Sequence, residues 1–224
     1  MNATIRYSLH IKRLIESDTR MATAQFNTKD RILNAAEALF ATHGFMATSL
    51  REVTSQAQVN IAAVNYHFGS KENLINEVFR RRMDDMSANR IARLEAALAE
   101  GKDNLEGILD AFISPALELA GTTGTAFIRI LARAYVEENE GLREYISKRY
   151  GHVLRDFAHA LHECLPNLSK QELYWRLDFV AGALTYAMAD FGLIRRPPGR
   201  SEQAHRQEAS RHLIAFAIAG LKAP

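Results

Sequence analysis

Residues 48–74 read TSLREVTSQAQVNIAAVNYHFGSKENL and contain the signals that decide the fold. Ser49 followed by Glu52 forms a capping box, which predicts that a helix begins directly after Ser49. Asn60 is the expected N-cap of a very short second helix, and Gly69 ends that helix. This stretch therefore predicts two short helices joined by a turn, with a long helix starting just beyond them.

The faces of these helices can be assigned from their spacing. Upstream, apolar residues recur at helical intervals between Ile32 and Phe40, which predicts a first helix that ends near Gly44. In the short helix after Asn60, Val64 and Phe68 lie four residues apart, so we expect their shared face to pack inward. The other face carries the residues expected to be exposed: Ile61, Ala62, Asn65, Tyr66 and His67.

Three helices of this size over residues 27–68 have the dimensions of a helix-turn-helix motif. A short helix almost free of acidic residues can enter the major groove of DNA. There the amide of Asn65 can pair with N6 and N7 of adenine, and Ala62 and Ala63 can approach thymine methyl groups. Tyr66 and His67 lie near the helix end, where the groove wall is phosphate. Two residues at the start of the preceding helix are predicted to offer hydroxyl and amide groups to phosphate: Thr48 and Ser49.

The composition is that of an ordinary globular chain. Among 224 residues, 47% are hydrophobic and 24% are charged, and the formal net charge is +2. This charge is too small to indicate nucleic-acid binding by itself. One cysteine excludes an intramolecular disulfide and an all-cysteine metal site, and it fits a reducing cytoplasm. The most apolar stretch, residues 179–189, is too short to span a bilayer, so we expect a cytoplasmic protein with no membrane partner.

The remainder of the chain also has helical periodicity and no strand alternation. The long helix after Gly69 is predicted to run to about residue 98 with one break. Pro115 predicts a kink or a boundary. Further helices are predicted over 105–119, 125–136, 142–165, 169–194 and 201–221. The fold class is therefore all-α, with about nine helices.

We divide the chain into an arm over 1–26, a helix-turn-helix domain over 27–73 and a larger helical domain over 74–224. Two interpretations of the arm remain open. Residues 1–20 are an upstream extension if Met21 is the true start. Otherwise they form a short basic helix that touches phosphate.

The order and spacing of residues 48–53 and 59–74 resemble the DNA-binding signature of the TetR family of transcriptional regulators. This resemblance implies an all-α homodimer whose N-terminal domain binds a near-palindromic operator. It also implies a C-terminal domain that holds an inducer pocket and pairs two subunits through its last two helices. We expect a repressor, with no enzymatic activity and no cofactor.

The resemblance also implies individual contacts, including one between Lys71 and phosphate. The position of Asn65 is often aromatic in the family, and asparagine there indicates more direct base reading. Ile61 replaces a commonly polar residue and either makes an apolar contact or only packs. The full predicted DNA-binding set is Thr48, Ser49, Arg51, Asn60, Ile61, Ala62, Ala63, Asn65, Tyr66, His67 and Lys71.

The last two helices are apolar on two faces each, and a helix of that kind must bury both. One face suits the chain's own core and the other a partner subunit, which predicts a two-fold four-helix interface. The alternative is the core of a large monomeric bundle. The predicted interface residues are Trp175, Gly182, Tyr186, Leu213, Ala217 and Gly220.

An effector pocket is predicted from apolar residues on the middle helices, and such walls suit a hydrophobic ligand. Residues 165–189 also resemble a fatty-acid-responsive, PsrA-like subgroup of the family, which implies a fatty acyl effector. The expected walls are Phe112, Phe127, Leu131, Tyr135, Phe157, Leu161 and Phe179.

Other chemistry has little support in the sequence. No phosphate-binding loop, dinucleotide fingerprint, nucleophile elbow or HExxH motif occurs. His152, Asp156, His159 and Glu163 share a helical face, which we interpret as a solvated face and not as a metal site. The alternative class is an all-α small-molecule-binding or enzymatic protein whose first helices have no DNA-binding role.

Overall fold

A computed structural model describes residues 28–123, 125–137, 139–189 and 193–223. Within these ranges the chain forms nine helices and no strand, which confirms the predicted all-α fold. The helices are α1 (28–43), α2 (Leu50–Ala57), α3 (Ile61–Phe68), α4 (Lys71–Glu100), α5 (Leu105–Thr123), α6 (Thr125–Val136), α7 (Glu140–Cys164), α8 (Lys170–Met188) and α9 (Glu202–Lys222). The predicted arm and its two interpretations lie outside the described residues.

The chain divides into two compact units, and the division falls inside α4 between Glu77 and Val78. In the first unit, α1, α2 and α3 enclose a small aromatic and aliphatic core. The rings of Phe40 and Phe45 lie 5.5 Å apart and both are fully buried. Val53 is buried as well, as the apolar edge of α2 predicts.

The second unit is organised around α5, which packs most extensively on α9 and also contacts α6, α7 and α8. Pro115 lies inside α5, so the helix continues past the predicted boundary. Proline supplies no backbone N–H to the helix. One turn earlier, Nε of Arg90 donates to the carbonyl of Phe112 at 2.9 Å, and the guanidinium lies 4.1 Å from the Phe112 ring. Arg90 thus supplies a donor from α4 close to the proline.

Two further features of the helices differ from the prediction. The long helix α4 runs without the predicted break from Lys71 to Glu100. The helix α8 ends at Met188, whereas the sequence predicted an end near residue 194. The reason lies in α9: Nη1 of Arg206 donates to the carbonyls of Ala187 and Met188 at 2.7 and 3.2 Å. This guanidinium donates to the last carbonyl groups of α8. In a longer helix, the backbone N–H groups of the next turn would donate to them instead.

The C-terminus of α9 is held in the same way by α8. Nη1 of Arg176 lies 2.8–3.1 Å from the carbonyl oxygens of Gly220, Leu221 and Ala223. Each arginine also pairs at 2.8 Å with a glutamate one turn before it, Arg176 with Glu172 and Arg206 with Glu202. The two helices therefore cap each other's C-termini with buried positive charge, which is the favourable sign at that end of a helix.

Candidate nucleic-acid interface

The start of α2 is fixed by the predicted capping box. The hydroxyl of Ser49 accepts from the backbone N–H of Glu52 at 3.2 Å, and the Glu52 carboxylate accepts from the backbone N–H of Ser49 at 2.7 Å. The backbone N–H of Ser49 is the main reason that the pKa of Glu52 lies below its ordinary value. This network aligns the first turn of α2 but also uses both the amide and the hydroxyl of Ser49.

The turn between α2 and α3 is held from both sides. Gln58 adopts a left-handed conformation with φ of 53°, and its backbone N–H donates to the carbonyl of Ser55 at 3.2 Å. From α1, Nη2 of Arg31 donates to the carbonyls of Ala57 and Gln58. The sequence analysis did not select Arg31, because a surface arginine on the first helix carries no signal of a distant partner.

The structure places the two faces of α3 as predicted. Val64 is completely buried and Phe68 is 5% exposed, so both seat the helix on the unit's core. On the other face Tyr66 is 72% exposed and Ile61 is 46% exposed, and Ala62 and Asn65 are exposed beside them. Ala63 and His67 are half-buried. The result is an eight-residue helix whose outer face offers an amide, a phenol and small apolar groups.

Thr48 corrects one prediction. Its side chain is 1% exposed, and its hydroxyl donates to the carbonyl of Gly44 at 2.8 Å. The predicted hydroxyl contact between Thr48 and phosphate is therefore wrong, because this hydroxyl closes the turn before α2. Asn60 already uses one of its side-chain groups within the chain, because its side-chain oxygen accepts from the backbone N–H of Ala63 at 2.9 Å.

Cationic and apolar side chains surround the outer face of α3. Arg51 is exposed on α2, and Lys71 is half-buried at the start of α4. Nζ of Lys71 lies 3.5 Å from the carbonyl of Met46, whose own side chain is 83% exposed. The sequence analysis missed Met46, because an isolated methionine in a turn has no periodic context that would place it outside.

The structure exposes some of the residues predicted for the subunit face and buries others. Trp175 and Tyr186 are about half exposed, and Gly182 and Gly220 are exposed with them. Leu213 and Ala217, in contrast, are 9% and 1% exposed and pack within their own chain. The outward side of α9 instead carries Phe216, which is 66% exposed. The error arises because both faces of α9 are apolar, so periodicity alone could not tell them apart.

Phe179 belongs to this same face, where it lines an open groove with Trp175 and Gly182. It is 66% exposed, and its ring stacks on Trp175 with centroids 6.2 Å apart. We name the exposed side chains of Trp175, Phe179, Tyr186 and Phe216 the aromatic face. A cluster of exposed aromatic side chains on a folded chain is typical of a protein–protein contact.

The other predicted pocket walls pack as core. Phe127, Phe157 and Leu161 are at most 1% exposed and Phe112 is 8% exposed, whereas Leu131 is half-buried. The ring of Phe157 meets Phe112 edge-on at 5.2 Å. The side chain of Tyr135 lies outside the described residues. The role of these residues in ligand binding stays a prediction.

Other chemical features of the described ranges are few. No group of three His, Cys, Asp or Glu side chains there is arranged to hold a metal ion, and His159 instead lies 3.7 Å from Glu163. Burial raises the pKa of the Cys164 thiol, which disfavours its reactive thiolate form. None of the helices in the described part of the chain has the length and apolar character to cross a membrane.

Comparison with known proteins assigns both parts of the chain to one family. The model for the N-terminal part of bacterial regulatory proteins of the tetR family matches residues 32–78. A model described as the Tetracyclin repressor-like C-terminal domain matches residues 110–220. Together the two models match more than two thirds of the chain.

Curated relatives match over shorter stretches. The probable HTH-type transcriptional regulator YttP of Bacillus subtilis strain 168 is 40% identical over 57 residues, which are 24% of this chain and 28% of that protein. The HTH-type transcriptional repressor KstR2 of Rhodococcus jostii strain RHA1 is 26% identical over 98 residues, 44% of this chain and 46% of the relative. The chain thus spans less than half the length of these relatives.

Solved structures with the same fold match over most of the chain. HlyIIR, a hemolysin II transcriptional regulator, superposes with a TM-score of 0.61 at 17% identity over 89% of this chain and 99% of that one. The TetR family regulator PfmR of Thermus thermophilus gives 0.57 at 22% identity over 86% and 98%. These matches do not distinguish the PsrA-like subgroup, which stays a prediction. Two matching family models and a shared fold establish that the chain belongs to the TetR family of bacterial regulatory proteins.

Proposed function

We propose that this protein is a transcriptional repressor that binds a near-palindromic DNA operator as a homodimer and is released by a small effector. The observation that carries the proposal is the outer face of α3. Val64 and Phe68 anchor the helix, and its exposed side chains include Asn65 and Tyr66. A helix seated in this way can enter the major groove and present side chains to base edges.

The contacts divide into two kinds. The amide of Asn65 is a base-reading group, because it can donate to N7 and accept from N6 of adenine only in one orientation. Arg51 on α2 and Lys71 at the start of α4 are cations on the helices that flank α3 in the sequence, and they would position the protein on phosphate without reading sequence. The exposed methionine Met46 adds an apolar contact beside Lys71.

The homodimer is proposed from the aromatic face of α8 and α9. Trp175, Phe179 and Phe216 each expose more than half of their surface in the single chain. Gly182 and Gly220 on the same side permit close helix approach. Two-fold pairing through this face would present two copies of α3 to two half-sites of a palindrome.

Release by an effector is proposed as a shift between two conformers of the dimer. An effector changes DNA affinity only to the extent that it binds one conformer better than the other. A hydrophobic effector was predicted from walls that pack as core in the structure.

The test is DNA binding by the full chain at several salt concentrations. On a duplex selected from genomic fragments, Asn65→Ala should weaken binding by about 1–3 kcal/mol, or roughly 5- to 150-fold, and leave random duplex nearly unaffected. Lys71→Ala should weaken both duplexes alike and reduce the salt slope by about 1. Asn167→Ala, at an exposed asparagine between α7 and α8, is the matched control.

Equal losses on both duplexes for Asn65→Ala would remove its base-reading role. An affinity for duplex DNA that is undetectable or independent of salt would contradict the whole proposal. That outcome would favour the alternative of an all-α small-molecule-binding or enzymatic protein.

A further inference from the structure

A cavity of about 370 Å³ lies between α5 and α9, within the size range of small-molecule sites. We name it the α5–α9 cavity. From α5 it is lined by Ser114, Leu117, Glu118 and Gly121, and from α9 mainly by Gln203, Arg206 and Gln207. Among the described residues that line it, Leu117 is the one with an aliphatic side chain. The cavity therefore differs in its lining residues from the pocket that the sequence predicted.

Arg206 gives the cavity a buried positive group. Its side chain is only 7% exposed, and its hydrogen bonds to Glu202, Ala187 and Met188 use Nε and Nη1. A guanidinium carries five N–H donors, and two of them belong to Nη2. No hydrogen bond from Nη2 to another described residue is formed, so these two donors can serve an acceptor in the cavity.

Hydroxyl and amide groups line the rest of the cavity. The hydroxyls of Ser114 and Ser210 lie 2.7 Å apart, and both residues are at most 9% exposed. Gln203 and Gln207 stand one turn apart on α9 and bring two side-chain amides. The Ser114 hydroxyl donates to Asp110, so the serine pair offers lone pairs to a ligand, whereas the exposed glutamine amides can both donate and accept. The lining therefore suits a ligand with several polar groups of its own.

Two acidic residues beside the cavity, Glu118 and Glu202, already have cationic partners. Glu118 binds Nη2 of Arg93 through both oxygens, at 2.9 and 2.8 Å. Glu202 binds Arg206 at 2.8 Å and Arg196 at 3.2 Å. Because these carboxylates are neutralised locally, they do not oppose an added anion at Nη2 of Arg206.

We propose that the α5–α9 cavity binds a compact carboxylate that also carries hydroxyl or amide groups, such as a small hydroxy acid or amino acid. The carboxylate would accept from Nη2 of Arg206, in the charge-assisted geometry that favours guanidinium. The remaining polar groups would bond to Gln203, Gln207 and the serine hydroxyls. A fatty acyl chain finds one aliphatic side chain here, and it brings no polar groups beyond its carboxylate to bond to the glutamine amides.

The regulatory part of this inference rests on the proposed function. Arg206 holds the C-terminus of α8, and α8 carries three residues of the aromatic face. A carboxylate on the same guanidinium therefore acts on the helix that would set the geometry of the dimer. This ligand would be the effector that releases DNA.

The test uses the full chain without DNA and isothermal titration with L-tartrate, L-glutamate and hexanoate. At least one of the first two should bind with one site per chain and at least about ten times more tightly than hexanoate. Gly121→Leu should abolish that binding by filling the cavity. Gly121→Ala is the matched control: its Cβ would lie 3.7 Å from Cγ of Arg206, an ordinary contact, and binding should persist. Alanine and leucine both favour helix, so both variants should fold, as a melting curve verifies.

A second pair of variants tests the polar contacts without touching Arg206. Gln203→Met with Gln207→Met should weaken binding at least about tenfold, because two amide partners are lost. Gln171→Met, at an exposed glutamine on α8 outside the cavity, should leave binding unchanged. The proposal is overturned if neither polar carboxylate binds up to about 10 mM, if hexanoate binds as tightly, or if Gly121→Leu leaves binding intact. Since titration needs no DNA, failure of DNA binding is seen separately and leaves the test of the site valid.

Discussion

Replacing Arg176 by methionine tests the reciprocal capping that joins α8 to α9. The side chain is 13% exposed, and methionine preserves much of its apolar stem while removing every donor. In the wild type, Nη1 lies near the carbonyl oxygens of Gly220, Leu221 and Ala223, and Nε bonds to Glu172 at 2.8 Å. We expect Arg176→Met to destabilise the second unit without affecting α1–α3.

The expected loss follows from the number of bonds. Nη1 has two hydrogens, so its three carbonyl contacts amount to about two full hydrogen bonds, each worth about 1.5–3 kcal/mol for a charged donor. Gly220 and Ala223 are exposed, and water recovers part of this. The partly exposed pair with Glu172 adds under about 1 kcal/mol. We therefore expect a loss of about 2–4 kcal/mol.

Urea unfolding at one fixed chain concentration measures this loss, because the stability of a dimer depends on concentration. The midpoint should fall by roughly 1 M for an m-value of about 2–3 kcal/mol/M. Arg155→Met, at an exposed arginine on α7, is the matched control and should change stability by under about 0.5 kcal/mol. Equal stabilities of the two variants would refute the inference that Arg176 caps α9.

Three further predictions concern other parts of the molecule. Phe216→Glu should convert the dimer to a folded monomer in analytical ultracentrifugation, whereas Leu154→Glu, exposed on α7, should not; a stable Phe216→Glu dimer would contradict the aromatic face as the interface. Gln58→Gly should stabilise the first unit by up to about 1 kcal/mol in thermal unfolding, because glycine adopts a φ of 53° without steric cost, and a clear loss would contradict this. Asp84 accepts from Arg149 and two other side chains, and the Arg149 hydrogen bond is the largest reason that its pKa lies below the ordinary value. Asp84→Asn should therefore be less stable than wild type at pH 7. The difference in stability should shrink as pH falls below about 4 and through the lowered pKa of Asp84. A difference in stability that is independent of pH between about 3 and 7 would rule out the Asp84 carboxylate as the source of that difference.

The first unit could be predicted closely because its signals are local. Ser49 with Glu52 fixes the start of α2, and Asn60 fixes the start of α3. Val64 and Phe68 then set which face of α3 is buried. In each case the signal and the structure it determines lie within a few residues, where helix geometry leaves little freedom.

The second unit could be predicted less well because its details depend on distant partners. Leu213 and Phe216 are both apolar on α9, and the packing of α9 on α5 and α8 decides which of them turns inward. The end of α8 at Met188 depends on Arg206, which is 18 residues further along the chain. The buried hydroxyl of Thr48 is a smaller case of the same kind, since its partner is the carbonyl of Gly44.

In the proposed repressor, two copies of α3 read DNA together. The most direct measurement is selection of bound duplexes from fragmented genomic DNA, followed by the stoichiometry of the complex on the recovered sequence. We expect a motif with two-fold symmetry, half-sites centred about 34–36 Å or a multiple of that apart, and an even number of chains on each site. Recovery of no enriched sequence, or of a single asymmetric site occupied by one chain, would contradict it.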